Sequence, residues 1–181
     1  MAYLLGLDVG TSGVKALLVD EGGAVHASIT EECPYRTPLP LWAEQDPRGW
    51  WHASARAIRR LLQASQADPA EIAGVGLTGQ MVGLVVLDGA GEPVRPCIMW
   101  NDQRSGPQCE AITRQLGFER LMALTLNPVL PGFLAPKLLW VREHEPEAYG
   151  RIAQILLPKD YVRYRLTGEY ATDVSDSSGT S

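Results

Sequence analysis

The sequence predicts an α/β domain whose mixed sheet opens as an antiparallel β-meander. Three observations predict it. Two short apolar runs, residues 3–9 and 14–20, flank a polar glycine turn. A third strand-like run follows the Glu21-Gly22-Gly23 turn at once. Further runs of strand length then alternate with segments of helical period. A doubly wound nucleotide fold would send its first strand directly into a helix; here it leads into a second strand.

Each element has a local reason. Residues 3–9 read as a buried strand, 14–20 as its hairpin partner and 24–30 as the third strand. Three prolines, Pro34, Pro38 and Pro40, make 34–40 an extended connection. Asp46-Pro47 starts a helix, an acceptor at the cap followed by proline at the first position. Trp50, Trp51, Ala57, Ile58, Leu61 and Leu62 give that helix its apolar side as far as about Ala64. Asp68-Pro69 repeats the start signal briefly, residues 72–77 are the next strand, and 78–81 a turn. Strands are expected at 84–87 and 96–100 around the Asp88–Gly91 turn, and another at 155–157. Helices are expected at 105–116 closed by Gly117, at 118–123, at 135–143, and at 159–166 ended by Thr167-Gly168.

Composition narrows the function classes. The chain has 181 residues, 45% apolar and 20% charged, with net charge −5. That balance speaks against a nucleic-acid binder, which needs clustered Lys and Arg. No apolar run approaches the ~20 residues of a membrane span, and the start, MAYLLGLDVG, does not read as a signal peptide. Cys33, Cys97 and Cys109 lack metal-ligand spacing and read as reduced thiols of a cytoplasmic protein. His26, His52 and His144 are scattered, so zinc chemistry has no support.

The chemistry concentrates in DVGTSGVK, residues 8–15. It is neither of the two common glycine-rich phosphate turns. It does place Asp8 near a strand end, with Gly10, Thr11, Ser12 and Gly13 in the bend. Backbone N–H groups of such a turn can converge on anionic oxygens, the hydroxyls of Thr11 and Ser12 add donors, and Lys15 adds a cation. Strand alternation puts Gly13 and Lys15 on one face, leaving Val14, Ala16 and Leu18 for the core. Asp8 is a candidate ligand for Mg²⁺, a hard cation that takes oxygen. A merely polar hairpin remains the alternative.

D-x-G-T-S-x-x-K between two strands resembles the first phosphate motif of the actin, Hsp70 and sugar-kinase ATPase superfamily. LWAEQDPRGWW (41–51), GLTGQMVG (76–83), IMWNDQR (98–104), PGFLAPKLLWVREHEPE (131–147) and LLPKDYVRYRLTGEYATDVSDSSGT (156–180) narrow it. In order and spacing they resemble the FGGY carbohydrate kinases, and among these the bacterial D-xylulose kinases. The resemblance implies an actin-like, ribonuclease H-like fold, with residues 1–181 as the N-terminal FGGY kinase domain, incomplete at its C-terminus. It implies ATP and Mg²⁺ as cofactors and phosphorylation of a ketose, D-xylulose to D-xylulose 5-phosphate, as the reaction. Kinase activity on another sugar or polyol, or a non-catalytic sugar-binding fragment, are the alternatives; a chaperone-like ATPase module is a further rival.

Residue by residue, Asp8 matches the metal-associated aspartate, and Gly10, Thr11, Ser12, Gly13 and Lys15 the phosphate hairpin. Gln80, Met81 and Val82 fall on the sugar-binding turn, and Trp100, Asn101 and Asp102 would line the same cleft. Trp100 as a core indole and Asn101-Asp102 as helix caps stay open as alternatives. The kinases have G-Q-M-H-G where this chain has Gly79-Gln80-Met81-Val82-Gly83, so a side-chain hydrogen bond to the sugar is lost. The family's catalytic base lies beyond Ser181, so no catalytic residue is assigned here and the chain alone is expected to be inactive. Asp173 and Asp176 read as turn and packing residues rather than as that base. Copies of the chain are expected to self-associate or dimerise through an open sheet edge.

Overall fold

The computed structural model describes residues 2–180. Strands β1 (Tyr3–Val9), β2 (Gly13–Asp20) and β3 (Val25–Glu32) form the expected meander. The long helix α1 (Pro47–Ser65) then crosses to β5 (Ile72–Gly79), which pairs parallel to β1. The sheet order is β3-β2-β1-β5. Between β3 and α1 a two-residue strand, β4 (Glu44–Gln45), escaped the sequence reading.

Alternation decides what the sheet buries. Val14, Ala16 and Leu18 point inward and are fully buried, as are Val9 and Leu7 of β1. Trp50, Ala53, Ala57 and Leu61 form the facing stripe of α1, spaced three or four residues apart. Each large apolar side chain so buried contributes about 1.5–3 kcal/mol. Asp46 caps α1 as expected, its Oδ1 accepting from Arg48 N at 3.0 Å. Asp68 does the same for the short 3₁₀ turn Pro69–Glu71.

The strands after β5 do not extend this sheet. β6 (Val85–Leu87) pairs with β8 (Gln154–Leu156), and β7 (Cys97–Ile98) with β4. The expected strand 96–100 is therefore cut to two residues, and Trp100 lies in a turn. Likewise Thr78 and Gly79 complete β5, so the turn begins at Gln80.

Helices α2 (Gly106–Leu116), α3 (Phe118–Thr125), α4 (Leu134–His144) and α6 (Pro158–Thr167) lie where periodicity put them, within two residues at most ends. One-turn helices α5 (Pro146–Tyr149) and α7 (Val174–Ser177), and the 3₁₀ turn Ser178–Thr180, were not anticipated. A second core, with Val82, Leu84, Val86, Ile98, Leu134, Trp140, Val141 and Leu157, knits β6 and β7 to α4. No helix among the described residues is long and apolar enough to cross a membrane.

Candidate active site

The turn between β1 and β2 is closed by Gly10 N donating to Gly13 O at 2.9 Å. A side chain at position 13 would meet the Glu31 carbonyl at 2.6 Å, so glycine lets the turn lie against β3. Among the described residues the amides of Thr11 and Ser12 donate to no protein group. The side chains of Asp8 and Lys15 likewise have no hydrogen-bond or ion-pair partner there. Unspent donors, a free carboxylate and a free ammonium at one strand end suit a phosphate with its divalent cation.

Asp8 and Lys15 are cross-strand partners on the face opposite α1. Together with Thr78, Gly6 and Gly76 they line a depression of about 360 Å³. A separate, larger cleft, about 590 Å³, is bounded by Thr11, Gln80, Met81, Val82, Trp100 and Phe133. Asn127, Ser178 and Gly179 close its rim. Half-exposed Trp100 is not a core indole: its Nε1–H donates to Thr11 Oγ1 at 3.1 Å. That bond joins the hairpin directly to the opposite wall.

A buried amide relay joins them again. Gln80 Nε2–H donates to Gln45 Oε1 at 3.1 Å and to Gly10 O at 3.4 Å. Gln45, 2% exposed, donates through Nε2 to Thr11 O at 3.2 Å and to Cys33 O. Cys33 N in turn donates to Ser12 O at 2.9 Å. The nitrogen of Gln80 is thus committed to the hairpin and to Gln45, while its buried Oε1 has no partner among the described residues.

Two expected sugar residues turn away from the cleft. Asp102 is fully buried, and its carboxylate accepts from Ala43 N at 2.6 Å and from Arg104 Nε at 3.0 Å and Nη2 at 2.8 Å. Arg104 stacks on the Trp42 ring at 3.7 Å, lies 4.9 Å from the Trp140 ring that meets Trp42 edge-on, and pairs with Glu44 at 2.7 Å. Every oxygen of Asp102 is spent on this framework, which leaves none for a sugar hydroxyl. It closes a local turn onto Arg104 N rather than capping α2, whose N-cap is Ser105. Asn101 does not line the cleft, and its buried Oδ1 has no partner among the described residues.

Asp173 and Asp176 are structural, as read. Lys159 Nζ lies 3.0 Å from Asp160, 2.7 Å from Asp173 and 3.0 Å from Asp176. Burial alone would lower the lysine, but the three carboxylates outweigh it and raise it. The same ammonium holds Asp173 down to about 2. The Asp176 carboxylate has no hydrogen-bond partner among the described residues, so the ion pair is what compensates its buried oxygens.

Sequence reasoning missed Gln45, Asn127, Phe133 and Lys137. Only Lys137 left a signal: it occupies the apolar stripe of α4, three residues after Leu134 and four before Val141. Its buried ammonium donates to the carbonyls of Val82 at 2.8 Å and Gly132 at 2.6 Å.

The profile of the FGGY family of carbohydrate kinases, N-terminal domain, matches residues 3–181. The chain belongs to the FGGY family of carbohydrate kinases. It is 46% identical over 176 residues to the xylulose kinase of Escherichia coli (strain K12), covering 97% of this chain and 36% of that protein. It is 43% identical over 180 residues to the xylulose kinase of Bacillus subtilis (strain 168), covering 99% and 36%. Among solved structures, that of a "xyloylose kinase" from Brucella ovis superposes with TM-score 0.92 at 46% identity, over 97% of this chain and 36% of the other. The chain thus spans about 36% of the length of these relatives and has the actin-like ATPase fold of FGGY kinases.

Proposed function

We propose that the complete polypeptide containing this chain transfers the γ-phosphate of ATP to a hydroxyl of a ketose, with D-xylulose the first substrate to test. The Trp100–Thr11 hydrogen bond carries the reading, because it makes the phosphate hairpin and the sugar-side turn two walls of one cleft. In this reading residues 1–181 are the N-terminal part of the kinase, and a second actin-like domain supplies the opposing wall.

The roles follow from the free groups. The amides and hydroxyls of Thr11 and Ser12 would bind phosphate oxygens, and Lys15 would offset their charge. Asp8 would hold Mg²⁺, which when bound neutralises charge on the phosphates. Met81, half exposed, and the indole face of Trp100 would pack on the sugar. The cleft lining contains no Asp, Glu or His, so the base that takes the hydroxyl proton must come from outside it. For that reason we propose that residues 1–181 alone turn over no substrate.

Val82 supports a second reading, a kinase for a different sugar or polyol. It lines the cleft with methyl groups where a hydrogen-bonding side chain would discriminate hydroxyls. The buried free thiols Cys33, Cys97 and Cys109 fit a reducing compartment such as the cytoplasm. β5, paired only with β1 among the described residues, is the edge through which copies would associate. A coupled ADP-release assay of the complete polypeptide across ketoses and polyols tests the substrate. A D-xylulose rate no greater than the rate without sugar would remove the first reading.

A further inference from the structure

Lys137 is fully buried beside the second core, reaching from α4 to a distant turn at Val82 and to the segment just before its own helix at Gly132. A lysine ammonium in such a place is costly unless its hydrogens are used. Two are, by the carbonyls of Val82 and Gly132. Val82 lines the cleft, and Gly132 adjoins its Phe133 wall. Val82 ends the Gln80–Val82 turn and adopts φ 47°, a left-handed conformation that a β-branched residue rarely takes unaided. Gly132 precedes the cleft residue Phe133 and lies against the Trp100 carbonyl, 2.9 Å from where a side chain at 132 would begin.

We propose that Lys137 is a positioning residue that holds the two walls of the sugar cleft in register by clamping the Val82 and Gly132 carbonyls. The ammonium keeps Val82 in its left-handed turn, which directs Met81 into the cleft and the Val82 methyls against Gly179. It simultaneously fixes the backbone beneath Trp100 and Phe133. Touching no reactant, it acts only through these turns.

Charge matters to the clamp. Burial pulls Lys137 down to about 8, with Cys97 of β7 and Asp102 opposing that shift and Arg104 adding to it. Above that pH the amine keeps two N–H groups but loses its charge-assisted bonds. The contribution of Lys137 itself to stability runs in the opposite sense. Between pH about 8 and the ordinary 10.5, the unfolded chain binds the proton more tightly, so this group adds stability as pH rises. Burial raises the thiols of Cys33, Cys97 and Cys109, which removes stability as pH climbs past the ordinary 9, so the loss of sugar affinity is read between pH 7 and about 9.

The role in catalysis rests on the ketose-kinase reading, so the experiment has an arm that does not need activity. In the complete polypeptide, Lys137→Met and the milder Lys137→Gln should raise ketose KM at least tenfold with ATP KM changed less than twofold. The wild type should show the same ketose-specific rise above pH about 8, and Lys137→Met should not. The Met penalty should shrink in a Val82→Asn background, because asparagine accepts the left-handed turn by itself. Hydrogen exchange should speed up at residues 79–83 and 127–133 in Lys137→Met while β1 and β2 stay protected. If the wild type phosphorylates no ketose, the functional reading fails and exchange alone decides the clamp. Unchanged exchange at both turns, or equal effects on ketose and ATP KM, would overturn it. If neither variant folds, the wild-type pH profile decides, and a flat ketose KM from pH 7 to about 9 overturns it.

Discussion

Gln45→Leu tests the relay behind the phosphate hairpin. Leucine nearly preserves the volume but removes every hydrogen bond of the amide. The Cys33 carbonyl loses its donor, the Thr11 carbonyl loses a 3.2 Å bond, and Gln80 Nε2 loses a 3.1 Å acceptor. Stranding a buried polar group costs about 1–3 kcal/mol. Gln80 retains the Gly10 carbonyl at 3.4 Å, and Thr11 lies at the cleft where water can reach it. The total is then about 2–4 kcal/mol, with the Cys33 carbonyl the largest part. At about 2–4 °C per kcal/mol for a domain of this size, Tm should fall by roughly 5–15 °C. Calorimetry of the transition that contains this domain reads the shift, and initial rates should show ATP KM raised severalfold. A drop below about 2 °C with ATP KM unchanged would refute the relay as a support of the hairpin.

Three further outcomes are expected. Asp8→Asn should lower kcat by about 10²-fold or more, with ketose KM little changed, since the lost charge is one felt by the metal and the transferring phosphate; steady-state kinetics against Mg²⁺ concentration check this. Val82→His should lower D-xylulose KM roughly tenfold, the lower end of what one regained hydrogen bond supplies, and histidine tolerates the left-handed backbone at φ 47°. Asp173, held by Lys159 and by the Asp176 amide at about 2, lies below its ordinary 3.8 in the folded state. Its stabilising contribution is complete above pH about 4 and lost as pH falls through about 2. Asp173→Asn should therefore weaken the fold at neutral pH but make no difference near pH 2, as denaturant titrations at both pH values would show.

Elements set by local pattern were legible in the sequence. The β1–β2 hairpin follows from alternation around a glycine turn, and α1 begins where Asp46-Pro47 says it must. Val14, Ala16 and Leu18 enter the core and Lys15 stays outside, as side-chain period dictates. What could not be read depends on distant partners. β4 exists because Cys97–Ile98 pairs with it and Arg36 bridges to Glu44, so two residues of ordinary composition gave no signal. Asp102 resembles a free acid beside a tryptophan until Arg104, stacked on Trp42, folds back on it. Lys137 falls on the apolar stripe of α4, but only the converging carbonyls of Val82 and Gly132 explain how a charged group can be buried there. At the candidate site the hairpin's form was legible, whereas the hydrogen bonds that join it to Gln45, Gln80 and Trp100, and those that bury Lys137, are tertiary.

The most direct test is ADP release by the complete polypeptide with Mg-ATP, measured with and without D-xylulose. The account predicts turnover that requires the ketose, requires Mg²⁺, and collapses in Asp8→Asn. ATP hydrolysis indifferent to any ketose or polyol, or sugar-dependent turnover that survives Asp8→Asn intact, would contradict it.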